Sequence, residues 1–339
     1  MLERLPRCPE ENIISLMSLE PVYQTDLGSA YHCDAAELLP TLADRSVGLI
    51  LTSPPFPLNK KKAYGNVRAE EYVDWFLEFA KQFHRVLRDD GSLVVEFGAG
   101  WTKGEPTKTI YQYKILVELC ERLHFKLAQE IYWYNPAKLP TPAEWVTIRR
   151  IRVKDAVTSV WWLGKTATPK ADNRRVLVEY SKAMRRLLRN GYNAGPRPSG
   201  HRISKVFGRD NGGAIPPNLL QYSNTSSTSA YLQACRESGS PVHPARFPDG
   251  LPRFFIEMLT DPGDLVVDPF AGSNLTGYTA DLLGRRWLAV EVLKEYVEAS
   301  KLRFDGSRLL QEKSGSARSP FDRQPRRPVR SPSTRLQLS

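Results

Sequence analysis

The chain has 339 residues, with 48 Lys+Arg against 37 Asp+Glu, a formal net charge of +11, 41% hydrophobic residues and 25% charged residues. This composition suits one large globular domain or two ordinary ones and excludes a mostly disordered chain. No run approaches the ~20 apolar residues of a membrane-spanning helix. The opening MLERLPRCPEENIISLMSLE lacks the apolar core of a signal peptide, and Cys8, Cys33, Cys120 and Cys235 form no C-x-x-C pair. A reducing, cytoplasmic setting without a disulfide framework is therefore expected.

In chain order, Ser46–Leu51 (SVGLIL) is a short apolar run stopped by Pro54 and Pro55, as a buried strand would be. Glu70–Leu87 places Val73, Phe76, Leu77, Ala80, Phe83 and Leu87 at helical spacing, with Asp90-Gly91 expected to close the helix. Ser92–Phe97 predicts a strand, Ile110–Leu123 a helix, and Glu130–Tyr134 and Asp155–Leu163 two further strands. Pro196–Ser229 is rich in Gly, Pro, Ser and Asn and reads as loop-dominated, an inserted recognition region. Helix Leu251–Leu259, strand Asp264–Asp268, helix Thr276–Leu283, strand Trp287–Val292 and helix Lys294–Phe304 follow. The alternation predicts an α/β fold with a mixed, mostly parallel sheet.

Charge is unevenly placed. Residues 149–210 carry 16 cationic and 4 anionic side chains, and residues 313–339 carry 7 and 1, whereas the remainder is mildly acidic. The basic middle interleaves charge with apolar residues, as a folded segment does, and points to a polyanion partner. The Arg/Pro/Ser-rich tail reads as a solvated segment. Gly164-Lys165-Thr166 lacks the upstream glycine of a phosphate-binding loop, and Gly98-Ala99-Gly100 has its third glycine at 104 rather than 103. The histidines have no metal-ligand spacing, so no metal is expected.

Two strand ends carry chemistry. Asp268-Pro269-Phe270-Ala271-Gly272-Ser273-Asn274-Leu275-Thr276-Gly277 joins an apolar strand to a helix. Gly272 permits close backbone approach, the helix N-terminus offers free N–H groups, and Glu291 closes the next strand where an acid suits ribose hydroxyls. An ordinary tight turn is the competing reading. At the other strand end, Ser53-Pro54-Pro55-Phe56 sets a hydroxyl, a carbonyl and an aromatic ring on a stiffened backbone. An exocyclic amine is a poor nucleophile because its lone pair is delocalised into the base. Ser53 Oγ and the Pro54 carbonyl could hold its two hydrogens and free that pair, with Phe56 stacking on the base. Glu96 is either a second acceptor tuning Ser53 or a strand-end surface acid.

With these motifs the sequence resembles the amino-group DNA methyltransferases. Ser53–Phe56 looks like their catalytic motif in its N4-cytosine form, and Asp268–Gly277 like their S-adenosylmethionine motif. The order, catalytic before cofactor with the basic segment between, is that of the permuted β group. Tyr31-His32-Cys33-Asp34 and His243–Pro248 resemble two further family motifs.

The resemblance implies a Rossmann-like methyltransferase fold with circularly permuted motif order and S-adenosyl-L-methionine as cofactor. It places Asp34, Asp268, Phe270, Gly272, Ser273, Asn274, Thr276 and Glu291 at the cofactor. Asn274 and Leu275 depart from the family's Gly and Thr. Duplex DNA is the implied partner, gripped from the basic segment, with Arg149, Arg150, Arg152, Lys154, Arg197, His201, Arg202, Lys205 and Asn211 as candidate contacts. Stretches such as RPSGHRI and DNGGAIPPNLLQ carry a likeness that further implies the target CAGCTG and a cognate restriction endonuclease. The implied organisation is an extension (1–30), a catalytic half (31–148), a basic target-recognition region with some core strand (149–240), a cofactor half (241–305) and a tail (306–339). Absence of a Pro-Cys pair disfavours C5-cytosine chemistry. Adenine-N6 methylation and non-catalytic DNA binding remain the alternatives.

Overall fold

A computed structural model describes residues 19–57, 71–98, 100–191, 195–196, 202–203, 208–224 and 229–305. The predicted tail and candidates Arg197, His201 and Lys205 lie outside the described residues, as does the side chain of Arg202.

The elements run β1 (Tyr23–Gln24), β2 (Gly28–His32), α1 (Ala35–Leu38), β3 (Val47–Thr52), α2 (Tyr72–Val86), β4 (Leu87–Phe97), α3 (Tyr111–Glu121), β5 (Lys126–Tyr134) and β6 (Val157–Gly164). They continue with α4 (Lys182–Asn190), β7 (Gly195–Pro196), β8 (Arg202–Ile203), β9 (Leu219–Gln221), α5 (Ala230–Ser238), α6 (Gly250–Leu259), β10 (Leu265–Asp268), α7 (Leu275–Leu282), β11 (Arg286–Glu291) and α8 (Lys294–Ser300). One sheet has the order β1-β2-β11-β10-β3-β4-β6-β5-β9. Pairs β2/β11, β11/β10, β10/β3, β3/β4 and β5/β9 are parallel; β1/β2, β4/β6 and β6/β5 are antiparallel.

The apolar run of β3 is buried throughout because helices cover both faces of the sheet. Its side chains alternate. Ile50 packs with Phe76, Phe83 and Ile115 of α2 and α3 in one core, and Leu49 and Leu51 pack with Phe255 and Ile256 of α6 in the other. In β10, Val267 joins the first core and Val266 the second.

Two expectations are corrected. Asp90-Gly91 does not close α2: the helix stops at Val86, Leu87 turns extended (φ −64°, ψ 138°), and β4 already pairs Leu87 with Val47. From residue 23 onward, the segment expected to be an N-terminal extension supplies β1 and β2 of the sheet. Pro196–Ser229 is loop-dominated as expected among its described residues, and its β9 extends the main sheet beside β5.

Chain direction positions the site. Strands β2, β11, β10, β3, β4, β5 and β9 all end at the same sheet edge, and the antiparallel β6 begins there. From the neighbours β3 and β10, the chain proceeds to β4 on one side and to β11 on the other. Such a divergence opens a crevice beyond the strand ends.

Candidate active site

The crevice is a cavity of about 810 Å³. Its wall includes Ser53, Pro54, Pro55, Phe56 and Glu96 from the β3 and β4 ends. Asp268, Phe270, Gly272, Ser273, Thr276 and Glu291 come from the β10 and β11 ends, and Asp34 from the β2 end. The two motifs are brought together because β3 and β10 pair in parallel, Val267 opposite Ile50.

On the catalytic side, Ser53 Oγ donates to Glu96 Oε2 at 2.5 Å. Glu96 is 6% exposed, so the surface-acid reading is excluded. Burial pushes its carboxyl up to about 7, against the lowering pull of the Ser53 hydrogen bond and the Lys138 charge. The Phe56 ring lies so close to Gly98 that any side chain at 98 would occupy ring space. The first glycine of Gly98-Ala99-Gly100 thus makes room for Phe56. Tyr111 Oη donates to the Gly98 carbonyl and fixes that backbone from α3.

On the other side, Asp268 accepts three hydrogen bonds. Its Oδ1 accepts from Thr52 Oγ1 at 2.8 Å and from the Phe270 N–H at 3.1 Å, and its Oδ2 from Thr276 Oγ1 at 2.7 Å. Burial raises its pKa to about 6 against these three bonds. Asp268 and Thr276 therefore tie the loop to the catalytic strand, and both remain in the cavity wall. Gly272 has φ +53°, and a Cβ there would stand 3.0 Å from the His243 ring. Its N–H donates to Glu291 Oε2 at 2.9 Å, while Glu291 Oε1 accepts from the Leu293 N–H at 2.9 Å. Burial raises the Glu291 pKa. Phe270 packs edge-on to Phe79, centroids 5.2 Å apart, and lies 5.8 Å from Trp75. Asp34 caps α1 through the Ala36 N–H at 2.8 Å.

Asn274 is not part of the wall. It adopts a left-handed backbone (φ 48°), caps α7 by accepting from the Gly277 N–H at 3.0 Å, and donates through Nδ2 to Tyr23 Oη at 2.9 Å. Its expected cofactor contact is replaced by a structural one. Tyr23 also shares a 2.6 Å bond with Ser300 Oγ, and burial drives its phenol up to about 12. Sequence reasoning missed Tyr23, because its partner lies 251 residues away. It also missed Arg303, which grips Ser273 through Nε to the carbonyl (2.5 Å) and Nη2 to Oγ (2.8 Å) and lies 3.9 Å over the Tyr231 ring.

The basic segment divides. At the opposite sheet edge, Lys170 pairs with Asp261 (2.5 Å) and Asp264 (2.9 Å), Arg175 with Asp261 (2.6 Å), and Arg174 with Asp172 (2.7 Å). These cations face carboxylates, so the basic segment does not form one patch. On the cavity edge, Arg152 is a buttress rather than an open contact. Its Nη1 donates to the Pro106 carbonyl at 2.5 Å and its guanidinium lies 4.1 Å over Trp101. Lys154 Nζ donates to the carbonyls of Pro136 (3.4 Å) and Lys138 (3.1 Å). Arg149 pairs with Glu144 at 2.7 Å and lies 4.9 Å over Trp145; Arg150 and Asn211 are exposed. Helix α4, missed by the sequence reading, carries the cations Lys182, Arg185, Arg186 and Arg189 and buries no residue. Among the described residues, no group of His, Cys, Asp or Glu could hold a metal, and no helix is long and apolar enough to cross a membrane.

A doubly covered, mostly parallel sheet with a strand-end cavity flanked by a glycine turn and a Ser-Pro-Pro-Phe turn defines a methyltransferase-type α/β protein. The chain belongs to the N6/N4 methyltransferase family, described as DNA methylase, whose model matches residues 47–302. It is 50% identical over 297 residues to the type II methyltransferase M.PvuII of Proteus hauseri, covering 87% of this chain and 88% of that protein. It is 27% identical to the DNA adenine methyltransferase YhdJ of Escherichia coli K12, covering 81% of each. Among solved structures it resembles the PvuII DNA methyltransferase (cytosine-N4-specific), with TM-score 0.70, 46% identity, and coverage of 85% of this chain and 89% of that one. A Thermus thermophilus protein complexed with S-adenosyl-L-methionine shares the fold, with TM-score 0.52, 21% identity, and coverage of 82% and 93%.

Proposed function

We propose that the protein transfers a methyl group from S-adenosyl-L-methionine to N4 of a cytosine in duplex DNA. The observation that carries this reading is the Ser53–Glu96 hydrogen bond, in the same cavity as the Gly272 turn. The identity to a cytosine-N4-specific enzyme supports it.

A cytosine in the stack cannot reach a cavity bounded by strand ends, so it must leave the helix. Ser53 can accept a hydrogen from the amine only if its own proton points elsewhere, and Glu96 receives it. Ser53 Oγ and the Pro54 carbonyl then each accept one N–H, which localises the nitrogen lone pair on the face presented to the donor. Phe56, seated on Gly98, supplies a stacking surface. Ionised Glu96 can take up, through Ser53, the proton that N4 sheds once its new N–C bond has formed.

The cavity fits the donor on its own geometry. The turn at Gly272 is a cradle that a side chain would close against His243, and Asp34 and Glu291 stand at adjacent strand ends as acceptors for hydroxyl and amino groups. Bound there, S-adenosyl-L-methionine supplies a methyl carbon on a sulfonium, so transfer breaks the S–C bond and leaves a neutral thioether. Helix α4 and the exposed Arg150 supply charge for phosphates. The target CAGCTG and protection from a cognate restriction endonuclease follow from the likeness to the PvuII enzymes. The region 149–240 is assigned to target recognition on the same ground.

Modification mapping of DNA from cells expressing the protein tests the reading. N4-methylcytosine within CAGCTG is expected. N6-methyladenine overturns the role given to Ser53, and N4-methylcytosine in another sequence overturns only the target.

A further inference from the structure

The segment between β5 and β6 overhangs the cavity, with Lys138, Thr141 and Asp155 in its wall. Its tip is unusual. Ile148, Ile151 and Val153 are 69%, 60% and 85% exposed, although nothing polar in them benefits from water. A loose loop would turn such residues inward, but this one is pinned. The N–H groups of Ile151 and Arg152 both donate to the Trp145 carbonyl at 3.0 and 3.2 Å, and the Asn135 N–H donates to the Ala156 carbonyl at 2.8 Å. Arg152 is clamped between Pro106 and Trp101, and Lys154 reaches back to Pro136 and Lys138. The sequence Arg149-Arg150-Ile151-Arg152-Val153-Lys154 therefore sends its aliphatic members outward, with Arg149 and Arg150 exposed beside them.

We propose that Ile151 and Val153 form a wedge that enters the base stack of DNA where the target base has left it. The inference rests on the proposed reaction and deepens it. Extruding a base leaves an apolar slot between its former neighbours, and a rigid aliphatic side chain can fill such a slot. The flanking cations match the phosphates on either side of it. The position is also suited, since Val153 lies two residues before Asp155 in the cavity wall.

The test compares two synthetic duplexes containing CAGCTG, one fully paired and one with the target cytosine opposite an abasic site, where departure from the stack is already eased. For the I151S/V153S variant, kcat/KM on the paired duplex is expected to fall by about tenfold or more, with most of it restored on the abasic duplex. With 2-aminopurine in place of the target base, binding of wild-type protein is expected to raise the fluorescence, and the variant to raise it less. V153T, nearly isosteric, gives the same pattern in weaker form and serves if the double variant does not fold. An equal loss on both duplexes, no loss on either, or a loss matched by a change in oligomeric state overturns the wedge. With the sequence found modified in cells used in both duplexes, wild-type protein that methylates neither overturns the reaction, and the wedge with it.

Discussion

Thr52 Oγ1 donates to Asp268 Oδ1 across 2.8 Å, although the residues are 216 positions apart. Thr52 immediately precedes Ser53, and Asp268 immediately precedes the glycine turn. The bond therefore sets the distance between the two halves of the cavity, and the Asp268 carboxylate that lines the wall also aligns it.

Ser53→Ala removes one of the two acceptors proposed for the amine. Turnover should fall by ~10²-fold or more, on the scale of a lost oxyanion-hole donor. Donor affinity by calorimetry should be unchanged, since Ser53 touches none of the groups around Gly272. Turnover at the wild-type level would remove Ser53 from the chemistry.

Gly272→Val combines a left-handed backbone (φ +53°) with a β-branched side chain whose Cβ stands 3.0 Å from His243. Titration with S-adenosyl-L-methionine should give no binding heat. Retained affinity would place the donor elsewhere.

Glu96 and Asp268 predict a pH dependence with a definite sign. Burial raises both carboxyls, to about 7 and about 6 from ordinary values of 4.5 and 3.8. Folding thus favours their protonated forms. This contribution to stability is fully present below about pH 4 and is lost as pH rises through 6 and 7. Denaturant midpoints of Glu96→Gln measured at pH 5 and pH 7.5 should differ less than those of the wild type. The acid-side fall in kcat near pH 7, where Glu96 can no longer accept the Ser53 proton, should vanish in the same variant.

Asn274 offers a stability test. Asn274→Gly keeps the left-handed backbone and loses the bonds to Gly277 and Tyr23, so about 1–2 kcal/mol should be lost. Asn274→Ala adds about 1–2 kcal/mol of left-handed strain. No loss for Gly in urea unfolding would mean that the capping bonds are not what selects Asn, and a smaller loss for Ala than for Gly would mean that left-handed strain is not.

Salt titrations should separate the two groups of cations. Replacing Arg150 is expected to reduce the slope of log K against log salt by about 1. Replacing Lys170 and Arg174 should leave the slope unchanged, because their carboxylate partners occupy the far edge of the sheet. Equal effects from both would mean that DNA also tracks that edge.

The strands and helices that bury a continuous face were legible. The apolar VGLIL of β3 and LVV of β10 and the spaced apolar residues of α2 announced themselves, and the two strand-end motifs located the cavity. What escaped lacked that signal. Strand β2 (GSAYH) is mixed in polarity and finds its place only between β1 and β11. Helix α4 (KAMRRLLRN) buries nothing, and β9 has three residues. At the site, residue types were readable but their bonds were not. Asp268 and Asn274 spend their polar atoms on Thr52, Thr276, Gly277 and Tyr23, and such partners are chosen by tertiary approach. The exposed Ile151 and Val153 look in sequence like half of an alternating strand; only their exposure on a pinned loop distinguishes them.

The parallel pairing of β3 with β10 also bears on synthesis. β3 can pair with β4 soon after both leave the ribosome, but its other edge waits for β10. At ~5–20 residues per second the delay is roughly 10–45 s. Throughout that interval the nascent chain holds an unpaired edge on a largely apolar strand, the kind of surface that invites chaperones or aggregation. The donor turn does not yet exist, so no growing chain can modify DNA, and competence arrives only when the last part of the sheet docks.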